Sequence, residues 1–180
     1  MFESPHPPPT LIFIFGGSGD LSYRKLVPAL FNLFLDGRLP EHFTVYGLGR
    51  TPYTDEQYHE HVLKGIELFS RRKKEHNGTW EAFSKLVKYL SIDVSDASQY
   101  SIITQSIDQK HAEFGTKPAV IFYLAVAPQL VPTILKNMQV LPACLDRENT
   151  RIVVEKPFGS DLESAHELNR QLSLQFKEDQ

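Results

Sequence analysis

Leu11-Ile-Phe-Ile-Phe15 running directly into Gly16-Gly17-Ser18-Gly19-Asp20-Leu21 is the stretch that decides the fold of this 180-residue chain. An unbroken apolar run of strand length, ended by glycine, reads as a strand buried on both faces, as in a parallel sheet. Gly16, Gly17 and Gly19 then supply a tight turn and a backbone free of Cβ atoms. A helix starting just after them supplies free N–H groups, and these three features together are what a dinucleotide pyrophosphate needs. The usual third glycine of the pattern is replaced by Ser22, which is small enough for close helix–strand packing. Glycines also mark ordinary strand-ending turns, but a position between a buried strand and a helix favours nucleotide binding. No Gly-Lys-Ser/Thr follows, so the turn is not a P-loop.

Outward from this turn, apolar spacing predicts a helix from Arg24 to Asp36, with Gly37 at its end and Pro28 in its first turns. Further strands are expected at Thr44–Leu48, Lys88–Asp93, Ala119–Ala125 and Arg151–Glu155. Helices are expected at Asp55–Ser70, Thr79–Val87, Ala97–Glu113, Pro128–Gln139 and Asp161–Phe176. Such alternation implies an α/β fold, a Rossmann-type doubly wound parallel sheet with helices on both faces. Residues 1–10 are read as a flexible, proline-rich N-terminus, with Pro7-Pro8-Pro9 a stiff lead-in, and 11–180 as one NADP-binding domain.

Composition narrows the function. Hydrophobic residues make up 41% and charged residues 23%, with a net charge of -3, which gives no basic field for nucleic acid. No apolar run approaches the roughly 20 residues that span a bilayer, and the N-terminus has no signal-peptide pattern. The single cysteine, Cys144, cannot form an internal disulfide, which points to a reducing compartment and a cytoplasmic protein.

The second predicted strand ends Tyr46-Gly47-Leu48-Gly49-Arg50-Thr51. An NAD site usually carries an acid here for the ribose 2′-hydroxyl. Arginine instead pairs with a 2′-phosphate in a forked, charge-assisted contact, and Thr51 offers a hydroxyl. The cofactor expected is therefore NADP.

The turn continues as Gly19-Asp20-Leu21-Ser22-Tyr23-Arg24-Lys25-Leu26, and far downstream stands Val154-Glu155-Lys156-Pro157-Phe158-Gly159. With Arg50 between them, these motifs resemble the glucose-6-phosphate dehydrogenase family from about Leu11 to the end of the chain. The Ala125-Val126-Ala127-Pro128 segment is similar to the family's loop after its fourth strand. The resemblance implies NADP-dependent oxidation of D-glucose 6-phosphate to 6-phosphoglucono-1,5-lactone, the entry to the oxidative pentose phosphate pathway. It implies cofactor contacts from Gly16, Gly17, Ser18, Gly19, Asp20, Leu21, Arg50, Thr51, Asp93, Val94, Ala125 and Lys156. It also implies that Lys156 reaches both cofactor and sugar phosphate, before a Lys156–Pro157 bond that is cis in the family. Lys25 has two readings, a charge that neutralises phosphate or substrate and a solvated helix residue.

Oxidation of an alcohol needs a base, which the family carries on a histidine in R-I-D-H-Y-L-G-K-E. This chain has no such segment, so no catalytic residue is assigned, and a C-terminal catalytic and dimerisation domain is expected to be absent from it. A homo-oligomer is expected only through that domain. The seven histidines have bland readings: His6 in the lead-in, His42, His59, His61 and His76 in exposed polar contexts, His111 and His166 on helices. None has metal-ligand spacing, and no metal is expected. Arg71–Lys74 reads as a solvated helix end, Trp80 and Tyr123 as core residues. The alternative function is a stand-alone NADP-binding or sensory module, with no apolar face left for another domain.

Overall fold

Alternation along the first strand divides its side chains between two layers. In the computed structural model, which describes residues 7–72, 78–157, 159 and 161–180, β1 spans Thr10–Phe15. Leu11, Phe13 and Phe15 are buried in one apolar cluster, whereas Ile14 and the partly buried Ile12 belong to another. Successive strand residues point to opposite faces, so both faces of the sheet have to be covered.

Four strands join β1: β2 (Phe43–Gly49), β3 (Val87–Ser91), β4 (Ala119–Leu124) and β5 (Thr150–Val154). All pairings are parallel, in the order β3-β2-β1-β4-β5. A π-helical turn at Ser22–Leu26, α1 (Val27–Leu35), α2 (Asp55–Phe69) and α3 (Thr79–Ser84) cover one face through Val27, Phe31, Tyr58, Val62, Ile66 and Phe83. The other face is covered by α4 (Ser101–Phe114), α5 (Val131–Met138) and α6 (Leu162–Gln175), through Ile103, Ile134, Leu135, Met138 and Leu168. The doubly wound fold expected from the sequence is the one observed. Its strand order reverses at β1 and β4, and such switch points are where these sheets take ligands.

Boundaries differ in instructive places. The first helix begins before Arg24, and Val27 N–H bonds back to Ser22 O in a π turn. Pro28 has no N–H to donate into the preceding turn, so the regular α ladder starts only around it. The expected third strand, Lys88–Asp93, begins a residue earlier and ends at Ser91. α3 stops at Ser84, which frees Val87 to pair with Val45, and the Asp93 amide turns to Gln99 Oε1 at 2.8 Å. The helices expected from Ala97 and Pro128 each open with a 3₁₀ turn, Ala97–Tyr100 and Pro128–Leu130. A further 3₁₀ turn at Pro142–Leu145 was not anticipated.

The expected readings of side chains also divide. Trp80 and Tyr123 are partly buried against the second cluster rather than inside it. His59 and His61 are half-buried, not exposed: His59 Nε2 lies 2.8 Å from Val87 O, and the His61 ring lies 4.7 Å from Tyr23 and 5.7 Å from Tyr53. Arg72 pairs with Asp36, while His6, His76 and the Lys73–Lys74 half of the basic run lie outside the described residues.

One close approach joins the turn after β1 to β2. A Cβ on Gly17 would lie 2.3 Å from Gly47 Cα, and one on Gly47 would lie 2.2 Å from Tyr58 Oη. Both are far inside contact distance, so the backbones meet only because both residues are glycine. Through that gap Tyr58, fully buried on α2, donates its hydroxyl to Gly17 O at 3.1 Å.

Two stability measurements follow from this packing. Phe13 is fully buried, stacked on Tyr46 at 4.8 Å and tilted against Phe122 at 5.7 Å. Phe13→Ala is expected to lower unfolding free energy by about 3–5 kcal/mol in urea titration. Gly17→Ala pushes against backbone that has no rotamer to adopt, and is expected to cost about 1–3 kcal/mol in the same assay.

Candidate nucleotide-binding site

The turn after β1 is held by its own backbone and by β2. Gly16 N–H and Gly17 N–H both donate to Leu48 O, at 2.9 and 2.8 Å, and Gly19 N–H closes the turn on Gly16 O at 2.9 Å. Gly16 has φ 84°, and a Cβ there would sit 2.3 Å from Ala125 O. The amides of Ser18, Asp20 and Leu21 have no backbone acceptor among the described residues. They are the unused donors of a helix start, which is the arrangement that receives an anion. Ser22 is fully buried, as its place in the close-packed position demands, and its Oγ has no hydrogen-bond partner.

Facing this turn is the carboxyl end of β2. Gly16, Ser18, Gly19, Gly49, Arg50, Thr51, Pro52, Val94, Val126 and Leu130 line one open cleft of about 560 Å³. Six of the residues expected from sequence therefore meet there: Gly16, Ser18, Gly19, Arg50, Thr51 and Val94. A groove along α6 is larger, about 650 Å³, but Leu162, Glu163, His166, Glu167 and Arg170 all come from that one helix. Its one guanidinium, on Arg170, is already paired with Glu167 at 2.8 Å. The smaller cleft is the chemically organised one.

The other expected residues stand around the cleft rather than in its wall. Gly17 is buried beneath it, and Ala125 meets Gly16 through its carbonyl. Asp20 is exposed, 3.7 Å from Arg24, and Leu21 is half-buried at the helix start. The Asp93 carboxylate accepts from Ser95 N–H at 2.9 Å and Ser95 Oγ–H at 2.7 Å. Those bonds hold it below the usual carboxylate range, with Arg50 adding a smaller attraction. Lys25 is exposed on the π-helical turn, and Lys156 is exposed just past β5, before a cis Lys156–Pro157 bond. With strands about 4.8 Å apart, two strand positions separate Lys156 from β1 on the side away from Arg50.

Sequence reasoning missed three groups. Leu130 reaches the cleft from the 3₁₀ turn after β4, and nothing in its local pattern marks it. Tyr123 Oη donates to the Glu155 carboxylate, beside Lys156, and burial with that neighbouring charge pushes its phenol up to about 12. Tyr89 on β3 reaches beneath Gly49, where a Cβ would be 2.8 Å from its Oη. The signal for Tyr89 is the register: it sits opposite Gly47, next to the strand end that carries Arg50.

Comparison with known proteins agrees with this geometry. The family described as "Glucose-6-phosphate dehydrogenase, NAD binding domain" matches residues 13–180. Glucose-6-phosphate 1-dehydrogenase of Chlamydia muridarum is 33% identical over 180 residues, covering 97% of this chain and 36% of the relative. The Leuconostoc mesenteroides enzyme is 34% identical over 171 residues, covering 95% of this chain and 34% of the relative. A solved glucose-6-phosphate dehydrogenase in complex with its substrate glucose-6-phosphate superposes with a TM-score of 0.81 at 29% identity, over 98% of this chain and 36% of that one. The corresponding structure from Mycobacterium avium gives 0.77 at 31% identity, over 95% of this chain and 35% of that one. The chain thus spans about a third of the length of the relatives it matches. By matched family, sequence and fold, this chain belongs to the glucose-6-phosphate dehydrogenase family and corresponds to its pyridine-nucleotide-binding domain.

Proposed function

We propose that the chain is the cofactor-holding part of a glucose-6-phosphate dehydrogenase, and that its nucleotide is NADP. The observation that carries the choice is Arg50, with Thr51, facing Ser18 and the free amides of the turn across one cleft. The residues fit a 2′-phosphorylated dinucleotide in charge and in space. Unused N–H groups and a helix start suit the pyrophosphate. A guanidinium at the strand end suits the 2′-phosphate, whereas a carboxylate there would repel it.

The switch point divides the labour between the halves of the sheet. Arg50, Thr51, Asp93 and Val94 follow β2 and β3, and so attend the adenosine half. Ala125, Val126 and Lys156 follow β4 and β5, and so attend the nicotinamide half. Lys156 there can reach hydroxyl and phosphate oxygens of a sugar phosphate and fix it near the nicotinamide. The bound nucleotide supplies a hydride acceptor for C1 of the sugar. The proton of the C1 hydroxyl needs a base that none of these residues provides, so the 180-residue chain by itself binds nucleotide without turning over the sugar. The reading also places the protein in the cytoplasm; among the described residues no helix is long and apolar enough to cross a membrane. Assembly into a homo-oligomer is assigned to the part of the relatives beyond the matched third.

A stand-alone module would leave no apolar face for another domain. Instead Leu145, Leu162 and Leu174 are 82%, 75% and 69% exposed on the α5–α6 side. Those faces favour the dehydrogenase reading.

Arg50→Ala is expected to weaken NADP binding by about 2 kcal/mol, roughly thirtyfold, and to leave NAD nearly unchanged. Calorimetric titration with each nucleotide checks this, and equal losses for both would contradict the 2′-phosphate assignment. Wild-type chain mixed with NADP and glucose 6-phosphate should give no increase at 340 nm (the NADPH band); a steady increase would show that a base is present after all.

A further inference from the structure

A buried phenol stands at the edge of the nucleotide cleft, and among the described residues it has no hydrogen bond. Tyr89 is 7% exposed, and its Oη makes no hydrogen bond. A Cβ on Gly49 would lie 2.8 Å from Tyr89 Oη and 3.0 Å from Ser18 Oγ. The two hydroxyls therefore share the space that this glycine leaves open, and both Ser18 and Gly49 line the cleft. Burial pushes the Tyr89 phenol up, while Ser18 and Thr51 beside it partly oppose the shift. Both hydroxyls are near Tyr89 Oη, but among the described residues neither makes a geometrically formed hydrogen bond to it.

The ring itself has little freedom. It packs 4.6 Å from Tyr58 and edge-on to Tyr53 at 5.5 Å. Its backbone N–H donates to Asp55 Oδ1 at 3.2 Å, and Asp55 is the first residue of α2. A rigid donor beside a rotatable hydroxyl has a definite consequence. Serine carries one proton and two lone pairs, and a phosphate is mainly an acceptor. If a phenol donates into one serine lone pair, the serine proton is left to point elsewhere, and the open direction is the cleft.

We propose that Tyr89 is a positioning residue for the 2′-phosphate: its O–H donates to Ser18 Oγ and so aims the Ser18 proton at the phosphate that Arg50 holds. The inference rests on the NADP reading above and deepens it. It assigns nucleotide specificity partly to a residue of β3 that has no place in the glycine turn or the arginine loop.

The test uses the 180-residue chain, with NADP and NAD as probes differing only in the 2′-phosphate. Tyr89→Phe removes one unpartnered oxygen, so the unliganded variant should melt at or above the wild-type temperature. Its Kd for NADP should rise about five- to tenfold, with NAD changed less than twofold. Ser18→Ala should show the same selective loss, and the double variant should be no weaker than the weaker single one, because the two act as one unit. Proportionate loss for both nucleotides, an unchanged Kd for NADP, or multiplying losses in the double variant would each overturn the role of Tyr89. Those outcomes leave the NADP reading standing if the wild type still prefers NADP. A wild type that binds NADP no more tightly than NAD overturns that reading, and this proposal with it.

Discussion

Where the turn after β1 crosses β2, Gly17 and Gly47 lie back to back, and Tyr58 threads its hydroxyl between them to reach Gly17 O. Much of the site depends on that contact. It brings the glycine turn down onto β2, so that Leu48 O can accept from both Gly16 and Gly17. With those two amides committed to β2, the donors left free are those of Ser18, Asp20 and Leu21, on the ligand side. A methyl group on Gly17 would lift the turn away from the strand that carries Arg50, and one on Gly47 would push the Tyr58 hydroxyl off Gly17 O. The distance between the free amides of the turn and the Arg50 guanidinium is therefore set by packing beneath the cleft rather than by the loops themselves.

The layer beneath the cleft is built largely of aromatic rings. Tyr58, Tyr53, Tyr89, His61 and Tyr23 pack ring against ring between α2, the π-helical turn and the end of the sheet. Burial lowers the His61 pKa, with Lys64 contributing less. Among the described residues, three polar atoms of the layer lack hydrogen-bond partners: Ser22 Oγ, His61 Nε2 and Tyr89 Oη. Unmade bonds of buried groups cost about 1–3 kcal/mol each. Their gathering under the phosphate turn is consistent with a region shaped for binding rather than for maximal stability.

Much of this was legible in the chain. The Leu11–Phe15 run followed by glycines specified a buried parallel strand and a tight turn because both depend on local chemistry: apolar continuity and the absence of Cβ atoms. The place of Arg50 on the cleft was legible because the carboxyl end of β2 faces the turn after β1. The π turn at Ser22–Leu26 was not legible, since Pro28 and close packing at Ser22 act together across several residues. The burial of His61 was missed for a similar reason. Its neighbours in sequence are polar, but its neighbours in space are three tyrosines.

What the sequence determined by itself was the class of fold, the turn and the sign of the charge opposite it, because these follow from residue type and spacing. The tertiary structure alone decided which residues share the cleft. Val94 comes from the connection after β3, Val126 and Leu130 from the one after β4, and Tyr89 enters beneath Gly49 from a strand two positions from β1. Parallel register brings those distant segments to one end of the sheet, and no pattern within any one of them records which others will be there.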